Sequence, residues 1–266
     1  IGGDIGIQSV ACTTEKEVIL KNLAERSTKS TFKLERDIAN LQNALDRSRK
    51  DMNPDNYNED GTIKKGKKEW VKSNRYKNKQ LKLKEFHRKA SESRKYAINE
   101  DVNYLRSLGD TFIIEKMNIK GLQKKSKEIT KNKKGKFNRR KRFGKSILNR
   151  CPGYFIAQAK YRFKITGGSL QEVNTWTFKA SQYDHQLDDC NKKSLSKRWH
   201  IFEDGTKVQR DIYSSFLLLC SNEDLTSPSK ELCDKLFEQF LINHEKCINE
   251  IKENKIKVLN SGIKIA

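Results

Sequence analysis

Much that would narrow the function is missing from this chain. No apolar run approaches the roughly 20 residues that span a bilayer, so a membrane-embedded role is not expected. The start carries no basic, apolar, small-residue signal pattern. The six cysteines (Cys12, Cys151, Cys190, Cys220, Cys233, Cys247) include no C-x-x-C pair. Without export signals, reduced thiols in a cytosolic compartment are expected, serving mostly as small buried apolar side chains. No internal repeat is found, and the chain opens on Ile1 and not on an initiator methionine, as an excerpt of a longer protein would.

What the chain has is positive charge. Its 266 residues hold 56 Lys and Arg against 34 Asp and Glu, a net charge of +22. A folded protein this basic repels itself, so a polyanionic partner is expected: nucleic acid first, an acidic membrane surface as the competitor. Hydrophobic residues make up 35% and charged residues 34%. That balance supplies one core but not a core under every segment, so a modest α/β core with solvated helices is expected.

Residues 5–12 (IGIQSVAC) read as a strand with 17–20 (EVIL) as a hairpin partner. Leu34, Ile38, Leu41 and Leu45 then form a helical stripe, and 51–66 breaks it with Pro, Asn, Asp and Gly. A second helix is expected over 70–107, packing on the first as an antiparallel hairpin. Residues 110–116 (DTFIIEK) read as a strand. Residues 116–150 carry 15 Lys and Arg against one acid, Glu128; within them 123–138 reads equally well as a solvated linker. A helix over 144–166, interrupted at Pro152-Gly153, leads to a strand over 169–179 carrying Leu170, Val173 and Trp176. Residues 208–220 read as a buried helix, and a closing helix starts with Ser227 as N-cap and Pro228 at its first position.

Three acids sit on elements that otherwise look buried: Asp4 in GGDIG, Glu115 in FIIEKMNIKGL and Asp211 in VQRDIYSSFLLL. A buried carboxylate is costly unless it is paired, hydrogen-bonded or bound to metal. Singly, each has an ordinary explanation, such as a capped turn for Asp4 or a first-turn acid for Asp211. Together they suit hard divalent cations, which take oxygen ligands and can drive phosphodiester cleavage in pairs.

The three segments, in this order, resemble the split motifs of the RuvC-like nuclease domain in the TnpB family, transposon-associated RNA-guided DNA nucleases related to type V CRISPR effectors. The resemblance spans about residues 1–220. It implies an α/β, RNase H-like (RuvC) core with an inserted basic helical hairpin and a C-terminal helix. It divides residues 1–266 into nuclease segments (1–20, 108–122, 144–222), the hairpin (31–107), a basic linker (123–143), a degenerate zinc-ribbon position (180–207) and the closing helix (228–255). Asp4, Glu115 and Asp211 would be catalytic and would hold two Mg²⁺, with Mn²⁺ as a substitute. Guide RNA and target DNA would be the partners, in a prokaryotic, nucleoid-associated setting. The amino-terminal recognition lobe of such proteins has no counterpart in this sequence. The non-enzymatic alternative is an RNA-guided DNA-binding repressor that does not cut.

The family's zinc ribbon normally carries two C-x-x-C pairs. Here Asp184 stands where the first cysteine would, and Asp184, His185, Cys190 and His200 match no zinc spacing. Zinc is therefore not expected, and other contacts should hold that loop. Phosphate contacts are expected from Lys124, Lys125, Arg139, Arg140, Lys141, Arg142, Lys192, Lys193 and Arg198. Trp70, Trp176 and Trp199 suit stacking on bases, with packing the equal alternative for Trp199 and the expected one for Trp176. Arg210 suits a contact to the scissile strand or an ion pair equally well. His87 and His244 are expected to be surface or packing residues.

Overall fold

A computed structural model of the chain describes all residues but 26–28, 139, 142, 195 and 266, and all side chains of the remainder but those of 29–32. Two compact units emerge, one of Ile1–Glu25 with Ile98–Ala266, the other of Arg26–Ala97.

The first unit is built on a five-stranded mixed sheet. Its strands are β1 (Gly2–Ile5), β2 (Ser9–Thr13), β3 (Val18–Asn22), β4 (Thr111–Glu115) and β5 (Ser169–Val173). They lie in the order β3-β2-β1-β4-β5, with β1 central. The β1–β2 and β2–β3 pairs are antiparallel, while β1–β4 and β4–β5 are parallel. The stretch IGIQSVAC is largely apolar, yet the chain turns there, with Gly6 N–H donating to Ser9 O at 2.9 Å. The expected single strand is thus a hairpin whose first arm starts at the glycines.

Those glycines set how closely the layers approach. A Cβ at Gly2 would overlap the Ser215 carbonyl oxygen and the Leu219 amide nitrogen, and one at Gly3 would overlap the Phe112 ring. Successive strand residues point to opposite faces, so Gly2 and Asp4 face one side and Gly3 and Ile5 the other.

One face of the sheet packs Val10, Cys12, Phe112 and Ile114 against Ile98, Val102 and Leu105 of α2 (Asn74–Leu108) and Phe155, Ala159 and Phe163 of α5 (Pro152–Ile165). Phe112 and Phe163 stack at 5.6 Å. The other face packs Ala11, Leu20 and Val173 against α7 (Arg210–Leu219) and α8 (Lys230–Glu253). The result is a three-layer α/β/α arrangement, the layering that buries both faces of a sheet with parallel strands. No helix among the described residues is long and apolar enough to cross a membrane.

Between β4 and β5 lie α3 (Ile119–Leu122), an exposed loop, and α4 (Gly144–Arg150). Cys151, in the left-handed region at φ 47°, ends α4, and Pro152 starts α5. After β5 the chain leaves the sheet earlier than expected. Asn174 caps the one-turn α6 (Thr175–Phe178), its side chain accepting from Trp176 N–H at 2.9 Å. Trp176 is therefore not a core residue: it stands 85% exposed. The expected cap of α8 also shifts by two residues, because Ser229, not Ser227, accepts from the Leu232 amide at 3.3 Å.

The second unit contains α1 (Lys29–Met52), a 3-10 turn at Pro54–Asn56 and the first part of α2. Asn53 closes the intervening loop, accepting from Val71 N–H at 2.7 Å and donating to Val71 O at 3.0 Å. The Arg49 guanidinium lies 5.5 Å over the Trp70 ring. The boundary at Ala97 leaves the last turns of α2 in the sheet unit.

Candidate active site

Strand register brings the first two acids together. Gly3 pairs with Ile114 in the parallel β1–β4 ladder, so one step further Asp4 lies beside Glu115. Adjacent strands are about 4.8 Å apart, and residues level in register point to the same face. That face is the α7 side: Asp4 pairs with Ala11, and Glu115 with Val173, both members of the cluster beneath α7.

The close approach over Gly2 brings in the third acid. Ser215 of α7 is tied to the sheet by Thr13, with the two hydroxyl oxygens 2.6 Å apart. Since Ser215 donates to Ile212 O at 2.7 Å, Thr13 is the donor in that pair. Asp211 lies one turn before Ser215 on the same helical face. Gln209, the N-cap of α7, accepts from Ile212 N–H at 2.8 Å and donates to Asp211 Oδ2 at 3.2 Å. Arg210 Nη2 stands 3.6 Å from Asp211 Oδ1.

Electrostatics reflects this convergence. Burial, then the charges of Asp211 and Glu115, push the Asp4 carboxyl well above the usual carboxylate range, and the Arg210 guanidinium acts the other way. Burial also raises Glu115, opposed by a hydrogen bond from the Ala180 amide. Asp4 and Glu115 open onto a cavity of about 520 Å³, lined also by Lys116, Met117, Asn118 and Trp176.

Among the described residues no three His, Cys, Asp or Glu side chains are grouped as a ready-made metal site. The donor chemistry here is nevertheless that of a hard cation. The three acids are half-buried, Asp4 lies in the field of the other two, and Asp4 and Glu115 border a cavity wide enough for waters and a phosphate. Mg²⁺ uses such open sets, keeping several waters beside one or two carboxylates.

Residues 180–207 form two short hairpins, β6 (Tyr183–Asp184) with β7 (Asp189–Cys190) and β8 (Trp199–Ile201) with β9 (Lys207–Gln209). Asp184 and His200 are buried, with Asp184 Oδ2 2.9 Å from His200 Nε2, and Lys193 Nζ bonds His200 Nδ1. Burial and then the Lys193 charge lower the His200 pKa to about 4. The ring is thus neutral at pH 7, accepting from the Lys193 ammonium at Nδ1 with its Nε2 held close to the Asp184 carboxylate. His185 sits among Tyr213, Phe202 and Phe237, its Nδ1 2.7 Å from Tyr213 Oη. Hydrogen bonds and aromatic packing therefore hold this loop.

The basic candidates divide. Lys124, Lys125, Lys141 and Lys192 are exposed and open to phosphate. Arg140 is exposed, but its guanidinium donates to Ser126 O at 2.9 Å and fastens the 126–140 loop. Lys193 is half-buried on His200 and Arg198 is half-buried. Trp199 donates to Gly262 O at 3.2 Å and meets His244 edge-on, so it packs rather than offering a free face. Arg139 and Arg142 lie outside the described residues. Compared with known proteins, the chain matches no family model and no curated protein.

Proposed function

We propose that this chain is the catalytic domain of a metal-dependent DNA endonuclease with an RNase H-like fold of the RuvC type. As in the TnpB-type proteins whose motifs it resembles, a guide RNA would direct it to target DNA. The observation that carries this reading is the position of Asp4 on a central strand, level with Glu115 of its parallel neighbour and within the field of Asp211 from a late helix. The order β3-β2-β1-β4-β5 with β1 central supports the fold assignment.

Asp4, Glu115 and Asp211 would hold Mg²⁺ or Mn²⁺. Bound there, such ions supply a nucleophile at neutral pH and stabilise charge on the leaving oxygen. Gln209 and Arg210 orient the Asp211 carboxylate, leaving Asp4 and Glu115 to face the cavity. Lys116 on its rim and the exposed lysines at 124, 125, 141 and 192 attract and position the phosphates without reading sequence.

The test is Asp4→Ala in the complex with guide RNA. DNA cleavage should fall about 1,000-fold or more while target binding persists, as expected when one member of a catalytic unit is removed. Undiminished cleavage would overturn the assignment. A wild-type complex that binds target but never cuts would point to the repressor instead.

A further inference from the structure

The largest aromatic side chain at the cavity is also the least buried. Trp176 is 85% exposed, although a tryptophan is the side chain with most to gain from leaving water. Its backbone, in contrast, is firmly held. The Asn174 side chain caps α6 at the Trp176 amide, and Phe178, 1% exposed, anchors the same turn in the core beneath α7. Two residues beyond Phe178, the Ala180 amide bonds Glu115. One anchored turn thus presents an indole to solvent and braces an acid of the proposed centre. Ile5, Met117 and Leu122 add apolar surface to this cavity, with Asn118 and Lys116 beside them.

We propose that Trp176 is a stacking platform for an unpaired nucleobase, and that the cavity takes one nucleotide of a single DNA strand with its phosphate toward Asp4 and Glu115. The proposal rests on the nuclease reading for the identity of that strand; stacking itself needs no catalysis. A base inside a duplex already has both faces covered, so a platform of this kind selects unpaired strand over duplex. Every base has a π-face, so the site holds the strand without reading it. The +22 charge of the chain supplies the attraction that stacking alone lacks.

The test is equilibrium binding of a labelled single-stranded oligonucleotide to the intact chain in EDTA, at raised salt, where phosphate contacts weaken more than stacking does. Trp176→Ala should weaken binding about 5- to 100-fold, the range of a lost base–aromatic stack, and Trp176→Phe should recover most of it. Abasic substitution in the oligonucleotide should weaken binding to the wild type and leave Trp176→Ala unchanged. Equal affinity of wild type and Trp176→Ala, or a loss that Phe does not rescue, would overturn the proposal. DNA and RNA oligonucleotides of one sequence separate the two sources of unpaired bases, and a Trp176 effect confined to RNA would overturn the DNA assignment. If binding ignores Trp176 while Asp4→Ala abolishes Mg²⁺-dependent cleavage, stacking alone fails. Trp176-dependent binding in a chain whose complex never cleaves would sink the nuclease reading alone.

Discussion

His244 makes the stability of the α7 cap depend on pH. It lies on α8, 6% exposed, with its Nε2 accepting the Gln209 amide at 2.9 Å. That bond requires a neutral ring with its proton on Nδ1, and burial lowers the His244 pKa to about 4 from the ordinary 6.5. A histidine depressed in the folded state contributes its full stability above the unfolded pKa and loses it as pH falls through the folded one. The window is therefore pH 6.5 down to about 4. At 1.36 kcal/mol per unit, about 2 kcal/mol is lost by pH 5 and about 3 kcal/mol by pH 4. In a chain of this size 2 kcal/mol is a Tm shift of about 4–8 °C. The assay is the urea midpoint at pH 7.5, 6, 5 and 4.5 for wild type and His244→Gln. The glutamine has no proton to gain, so the variant should lose about 2 kcal/mol less than wild type between pH 7.5 and 5. His200 titrates in the same window and stays in both proteins, so only the difference in slope reports on His244. Parallel slopes would refute the reasoning.

Two further perturbations address the frame of the site. Gly2→Ala would set a methyl carbon against the α7 backbone, 2.9 Å from the Leu218 carbonyl carbon and closer still to its neighbours. Overpacking of this kind costs about 1–3 kcal/mol or more, and it should also weaken Mn²⁺ binding measured by calorimetry, because α7 carries Asp211. Unchanged melting would contradict the close approach. Asp184→Leu removes the buried carboxylate that stands 2.9 Å from His200 Nε2. A loss of about 1–3 kcal/mol in urea midpoints is expected, as for a buried polar group left without its partner; an unchanged midpoint would show the contact to be dispensable.

The three acids stood out because Asp4 lies in and Glu115 ends a short apolar strand segment, and Asp211 opens a largely apolar helix; the core helices were legible because their stripes are long. What escaped depended on where the chain leaves an element. Leu170, Val173 and Trp176 recur every third residue, and nothing in that spacing announces that Asn174 ends the strand. Gly6 follows β1 inside a largely apolar stretch that continues on the far side of the turn. The surroundings of Asp184 were invisible for a different reason: His200 reaches it, and Lys193 reaches His200, across two hairpins, a distance over which sequence carries no period. The tie between Gly2 and α7 likewise joins residues more than 200 positions apart.

The span 180–207 is fastened by an ammonium bonded to an imidazole, whose other nitrogen stands 2.9 Å from a buried carboxylate. A fastening of that kind answers to proton concentration. Acid is what undoes it, because a proton arriving at His200 takes the position that Lys193 holds.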